Sequence, residues 1–162
     1  MSIAYIGLGS NLNDRTKNLN EAINMIEEAS EIKILKRSRV YQTEPVGPKD
    51  QPDFLNMALE IETALSSLDL IDFLQGVERK MGRQRKKKWG PRNIDLDLLL
   101  YGDQVKNMAK LTLPHPRMHL RKFVLMPLAE IAKDRVHPTL KKTVAKLLED
   151  LKEDSKVELF QS

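Results

Sequence analysis

Two aspartates separated by one residue, Asp95 and Asp97, are the side chains in this sequence that packing explains least well. They lie in a segment of alternating apolar residues, which predicts a β-strand over 92–100. Its apolar face would consist of Ile94, Leu96, Leu98 and Leu100. On the opposite face the carboxylates would lie about 6.6 Å apart along the strand. A divalent cation would remove their repulsion and their cost of desolvation, so the pattern favours a metal site over a solvated edge strand.

A cationic segment, residues 83–92, directly precedes this strand. The chain holds 27 Lys and Arg against 23 Asp and Glu, a net charge of +4. Six of these cations and no acid lie in 83–92, so the rest of the chain carries about −2. The guanidinium groups of Arg83, Arg85 and Arg92 suit phosphate oxygens, whereas the lysines between them are expected to be solvated. Cations beside paired carboxylates predict a magnesium–polyphosphate site.

Two further side chains near these segments have both a functional and a structural interpretation. Trp89 can stack on a base or a sugar, or can anchor its own loop. His115 lies between two prolines and can donate a hydrogen bond to a phosphate or hydroxyl, or can be a surface histidine. His119 and His137 have no ligand-like neighbours in the sequence and are assigned no function.

Several chemistries are excluded by composition and spacing. The chain has no cysteine, so a disulfide or a thiolate metal site cannot form. Gly7 and Gly9 lack the later glycine and lysine of a phosphate-binding loop. No apolar run is long enough to span a membrane, and the N-terminus does not resemble a signal peptide. We expect a single cytoplasmic domain, 1–162, that acts as a monomer.

The elements that must position these residues follow from their periodicity. The predicted elements are a strand over 3–8, a helix over 16–29, a strand over 32–43, a strand over 54–63, a helix over 66–81 and the strand over 92–100. This β-α-β-β-α-β order is that of a ferredoxin-like α+β fold, an antiparallel sheet with helices on one face. The opposite face is expected to be open and to carry Phe54, Asn56, Asp95 and Asp97.

The last third of the sequence is less regular. Residues 111–117 are expected to be extended between prolines, and Pro127 is expected to prevent a long helix within 120–132. A C-terminal helix over 143–151 and an edge strand over 157–160 complete the prediction.

These segments resemble the 6-hydroxymethyl-7,8-dihydropterin pyrophosphokinase family of folate biosynthesis. The signature lies in residues 89–99 (WGPRNIDLDLL). Supporting segments are 4–12, 47–56, 113–118, 121–123 and 127–128, so the resemblance spans nearly the whole chain in order. Four positions depart from common family residues: Phe54, Lys88, Asn93 and Pro116. None of them is a carboxylate of the predicted metal site.

The resemblance implies transfer of the pyrophosphoryl group of ATP to the hydroxymethyl oxygen of the pterin, releasing AMP. Asp95 and Asp97 would hold two magnesium ions, and Arg83 and Arg92 would close over the triphosphate and take part in catalysis. The residues implied at the ATP site are Gln75, Glu78, Arg85, Trp89, Arg92, Leu98, Lys110, Thr112, His115 and Arg121. Those implied at the pterin site are Thr43, Val46, Phe54, Asn56, Asp95 and Phe123.

Two other classes share part of this pattern. An RNA-recognition module has the same element order, but it requires exposed aromatics where this sequence carries aspartates. A magnesium-dependent nuclease or nucleotidyltransferase could use the same carboxylates. The resemblance favours the pyrophosphokinase, with small-molecule substrates and no nucleic-acid or membrane partner.

Overall fold

The computed structural model describes residues 1–44, 52–82 and 93–160. These parts of the chain contain eight strands and four helices. In chain order they are β1 (Ser2–Ser10), α1 (Arg15–Glu28), β2 (Ile32–Arg37), β3 (Tyr41–Thr43), β4 (Phe54–Thr63), α2 (Ser67–Lys80), β5 (Asp95–Tyr101), β6 (Lys106–Asn107), β7 (Thr112–Leu113), α3 (Lys122–Ala132), α4 (Val144–Asp150) and β8 (Val157–Leu159). None of the helices in these parts is long and apolar enough to cross a membrane.

The main sheet has the strand order β5-β1-β4-β3-β8, with β2 pairing beside β3 along β4. Every pairing is antiparallel, and β1 lies between β4 and β5. The predicted ferredoxin-like α+β fold is therefore confirmed. The C-terminal strand β8 extends it by pairing with β3, as expected for an edge strand.

Helices α1 and α2 cover one face of the sheet. Their apolar stripes enter a single core cluster with alternate residues of β1, β4 and β5. Each helix begins at a side-chain cap, since Asp14 accepts a hydrogen bond from the backbone N–H of Lys17 and Ser66 accepts one from that of Asp69.

The predicted strand over 32–43 is two strands, not one. The chain leaves the sheet edge at Ser38, whose hydroxyl accepts a hydrogen bond from the backbone N–H of Ala58 at 2.8 Å. The pairing register also shifts between Ile34 and Lys36, which explains the uneven alternation of this segment.

The prediction that Leu100 shares a face with Leu96 and Leu98 was wrong. The β1–β5 register shifts so that Tyr5 pairs with Leu100 while Ile6 pairs with Leu98, which leaves Leu99 as an extra residue. Leu99 and Leu100 consequently belong to a second core cluster on the opposite face.

Part of the face expected to be open is covered by helix α3. The prediction that Pro127 prevents a long helix within 120–132 was wrong, because α3 continues through Pro127 at the cost of one backbone hydrogen bond. Its buried side chains pack with those of α4 on Tyr5, Ala58, Leu99 and Leu100. Asp95 and Asp97, on the same face, lie outside this cluster and are half-buried.

Candidate active site

The two aspartates open strand β5, where the cross-strand partners are glycines. Asp95 pairs with Gly9 and Asp97 pairs with Gly7, both on β1. Both carboxylates are half-buried and lie on the face opposite α1 and α2, as predicted. Because β1 contributes no side chain at these positions, the side chains of Asn56 and Leu99 lie close to its backbone there.

Gly9 also pairs with Asn56 on its other side, so Asn56, Gly9 and Asp95 form one row across three strands. A Cβ atom on Gly9 would lie 2.7 Å from Asn56 Oδ1, closer than carbon and oxygen can pack. The buried Asn56 amide donates from Nδ2 to Thr43 Oγ1 at 2.8 Å, which fixes the plane of the amide. The backbone of Gly9, which has no side chain, thus lies between the Asn56 amide and the Asp95 carboxylate. We call this backbone position the floor of the row.

Two aromatic side chains lie on the same face of the sheet as this row, with Phe54 close to Gly9 and Phe123 on the adjoining core cluster. Phe54 is half-buried at the start of β4, and Phe123 is half-buried in the first turn of α3, packed on the cluster that includes Ala58. The segment before Phe54 is held by side chains of other elements. Arg15 donates to Asp53 O at 2.9 Å and Gln42 donates to Asp53 Oδ2 at 3.1 Å. The row and these rings suit a flat heterocycle with polar edges.

A cavity of about 270 Å³ adjoins the carboxylates between α2, β5 and β7. Eight predicted site residues line it: Gln75, Glu78, Asp95, Asp97, Leu98, Lys110, Thr112 and His115. These residues span 40 positions of sequence and come from several elements, so the fold brings them together.

Glu78 has a structural contact that the sequence did not predict. The resemblance implies a place for it at the ATP site, yet its side chain is largely buried, with the residue 7% exposed. Its carboxylate accepts a hydrogen bond from the backbone N–H of Leu96 at 2.8 Å. Leu96 lies between the two aspartates on an edge strand, so Glu78 satisfies an edge donor and holds this segment against α2.

His115 is an uncharged hydrogen-bond donor. Burial, together with the nearby charges of Arg121 and Arg117, lowers the pKa of His115 to about 4. Its Nδ1 accepts a hydrogen bond from the backbone N–H of Arg117 at 3.2 Å, which leaves Nε2 with the proton in the neutral ring. The imidazole can therefore donate to an anionic oxygen without carrying a charge.

Arg121 is a positive charge that interacts electrostatically with both carboxylates. Burial lowers the pKa of Arg121, whereas the charges of Asp97 and Asp95 raise it, which reports their proximity. The guanidinium carbon also lies 5.6 Å from the centre of the Phe123 ring. Arg121 thus interacts both with the carboxylates and with the Phe123 ring.

Five predicted site residues lie outside the described parts of the chain: Val46, Arg83, Arg85, Trp89 and Arg92. Asn93, the first described residue after that segment, contacts two other parts of the chain. The Asn93 side chain donates to Met81 O and accepts from Asn13 Nδ2, each at 3.1 Å.

Sequence reasoning missed Gly9 and Asp72. Gly9 was considered only as part of a phosphate-binding loop, although a glycine inside an apolar strand is itself a signal of close approach. Asp72 forms an ion pair with Lys110 at the mouth of the cavity. No local pattern predicts that pair, because its partners are 38 residues apart.

The fold and the cavity define a ferredoxin-like α+β protein with a small-molecule site at one end of its sheet. The family model described as 7,8-dihydro-6-hydroxymethylpterin-pyrophosphokinase matches residues 5–133. The chain belongs to this family, whose members act in folate biosynthesis by pyrophosphoryl transfer to hydroxymethyldihydropterin with ATP as co-substrate.

Individual relatives agree. The chain is 47% identical over 138 residues to a 2-amino-4-hydroxy-6-hydroxymethyldihydropteridine pyrophosphokinase of Haemophilus influenzae, covering 85% of this chain and 86% of that protein. It is 46% identical over 130 residues to the Bacillus subtilis protein of the same name, covering 80% and 78%. A solved HPPK-DHPS chain in complex with substrates shares the fold, with a TM-score of 0.72 at 13% identity over 92% of this chain. This chain spans 45% of that longer chain.

Proposed function

We propose that this chain transfers the pyrophosphoryl group of ATP to the hydroxymethyl oxygen of 6-hydroxymethyl-7,8-dihydropterin, with release of AMP. Family membership supports the reaction. The observation that carries its assignment to this site is the convergence of eight predicted residues on one cavity beside the Asn56–Gly9–Asp95 row.

The pterin would bind over Gly9, between the rings of Phe54 and Phe123. Asn56 and Asp95 flank that floor and can read the polar edge of a heterocycle by hydrogen bonds. Thr43 supports this arrangement because it accepts a hydrogen bond from the Asn56 amide.

Magnesium fits the carboxylate pair by the chemistry of its donors. Among the described residues no third His, Cys, Asp or Glu joins Asp95 and Asp97 in a metal-binding group. Two carboxylates, with water and phosphate oxygens as the remaining ligands, is a set that Mg²⁺ accepts readily. We propose two ions, which when bound would neutralise the negative charge of the phosphates.

The nucleotide would occupy the cavity lined by Gln75, Leu98 and Thr112, with its phosphates toward β5. His115 would donate a neutral hydrogen bond and Arg121 a charged one. Arg83 and Arg92 are proposed, from the family signature, to close over the triphosphate, and Arg85 and Trp89 to line the ATP site. In-line transfer then depends on positioning and charge neutralisation rather than on a protein nucleophile.

We further propose a single domain that acts as a cytoplasmic monomer. The pairing of β1, β4 and β5 in one sheet, whose two faces carry the two core clusters, supports one domain. The cytoplasmic location is proposed because the substrates would be ATP and a folate precursor.

The deciding experiment is AMP release from ATP. We expect release only when ATP, magnesium and 6-hydroxymethyl-7,8-dihydropterin are all present. Failure of the pterin to trigger release, with tight RNA binding in EDTA, would instead identify a nucleic-acid-binding protein. Nucleotide addition to, or cleavage of, an oligonucleotide would identify the nuclease or nucleotidyltransferase alternative.

A further inference from the structure

The segment after α4, residues 153–160, contacts α3, which carries Phe123, and pairs with β3, the strand next to Phe54. We call this segment the C-terminal strap. It lies beyond residue 133, where the match to the family model ends.

At one end the strap caps helix α3. The N-cap position of α3 is Arg121, whose side chain makes no capping hydrogen bond and has no acceptor to offer. The carboxylate of Glu153 instead accepts a hydrogen bond from the backbone N–H of Lys122 at 3.3 Å. The Lys122 ammonium in turn donates to Ser155 O at 3.3 Å. Phe123, one wall of the site, is the next residue.

The charge of Glu153 suits this position. Burial acts to raise the pKa of Glu153, but hydrogen bonds from Ser155 and Lys122 outweigh it and lower the pKa. The backbone N–H of Ser155 donates at 2.7 Å. An ionised carboxylate at a helix N-terminus is also favoured by the helix dipole.

At its other end the strap pairs with β3. Val157 is the register partner of Thr43, and Thr43 is in turn the partner of Phe54, the second wall. The backbone N–H of Lys156 donates to Glu44 Oε1 at 3.0 Å. The strap therefore pairs with β3, the strand next to Phe54. It also contacts Lys122, the residue next to Phe123.

We propose that the C-terminal strap is a positioning element for the acceptor site, which holds the first turn of α3 in register with β3 so that Phe123 faces the Asn56–Gly9–Asp95 row. This inference rests on the proposed function. Glu153 is its positioning residue: it is placed to act on pterin binding through Lys122 and Phe123, and not on the ATP cavity.

The test compares Glu153→Ala with Asp154→Ala, a matched control that removes the neighbouring carboxylate, for which the structure gives no hydrogen bond. We expect Glu153→Ala to raise the KM for the pterin about fivefold, less than the full effect of one charge-assisted hydrogen bond because Glu153 acts on the pterin only through Lys122 and Phe123. The kcat and the KM for ATP should stay within about twofold of wild type, and so should every constant of Asp154→Ala. Glu153→Gln keeps an acceptor oxygen, so it should fall between wild type and Glu153→Ala.

Calorimetric binding of the pterin in the presence of a non-hydrolysable ATP analogue should weaken by the same factor. Equal constants for Glu153→Ala and Asp154→Ala would overturn the inference, and so would a fall in kcat without a rise in the pterin KM. If Glu153→Ala does not fold, Glu153→Gln carries the same comparison. Absence of pterin-dependent AMP release in the wild type would refute the proposed function itself, which keeps the two failures distinct.

Discussion

Replacing Gly9 with alanine is the sharpest test of the proposed acceptor site. The added Cβ atom would lie 2.7 Å from Asn56 Oδ1, so the amide must move. Movement would strain or break the buried 2.8 Å hydrogen bond from Asn56 Nδ2 to Thr43 Oγ1. Overpacking of this kind costs about 1–3 kcal/mol, and the lost hydrogen bond adds about 1 kcal/mol.

Much of that cost should appear in pterin binding, because the Asn56 amide and the floor at Gly9 both belong to the pterin site. We expect the KM for the pterin to rise about 10- to 100-fold, which corresponds to about 1.4–2.7 kcal/mol. The KM for ATP should change less than about twofold, since the cavity lined by Gln75 and Thr112 lies on the other side of the carboxylates.

Gly7→Ala is the matched control. It places the same methyl group two residues earlier on the same face of β1, where it would meet the Leu99 side chain at 3.5 Å, an ordinary contact. Initial rates of AMP release against each substrate, with urea unfolding of both variants, separate binding from stability. The reasoning is refuted if Gly9→Ala binds the pterin as tightly as Gly7→Ala does.

Three further predictions concern single side chains. Asp97→Ala should abolish AMP release yet unfold as cooperatively as wild type, because Asp97 lies off the core; loss of cooperative urea unfolding would show that it is structural. His115 titrates near pH 4 when folded and near 6.5 when unfolded, so the free energy of unfolding should fall by up to about 3 kcal/mol as the pH drops from 6.5 to 4. In His115→Gln that contribution should disappear. A urea midpoint that depends on pH as strongly in this variant as in the wild type would contradict the prediction. The Tyr41 hydroxyl donates to Glu130 Oε1 at 2.7 Å, joining β3 to α3, and Tyr41→Phe should lower stability at pH 7 by about 1 kcal/mol. Additive effects of Tyr41→Phe and Glu130→Gln in a double-mutant cycle would count against that bond.

Local sequence patterns predicted several helices and strands of this protein and its carboxylate pair. The 3.6-residue and two-residue periodicities predicted α1, α2, β1 and β4 to within two residues at each end. The cap at Ser66 is likewise a local feature, because its partner, the N–H of Asp69, is only three residues away. The carboxylate pair of β5 was also evident, because both aspartates belong to one short strand.

Tertiary structure decided what surrounds those carboxylates. The row of Asn56, Gly9 and Asp95 depends on the register of three strands far apart in sequence. The bulge at Leu99, the contact of Glu78 with Leu96 and the cap on α3 from Glu153 likewise join segments that no local pattern links. The physical reason is that periodicity reports which face of one element is apolar, whereas register and cross-element hydrogen bonds are set only when distant elements pack together.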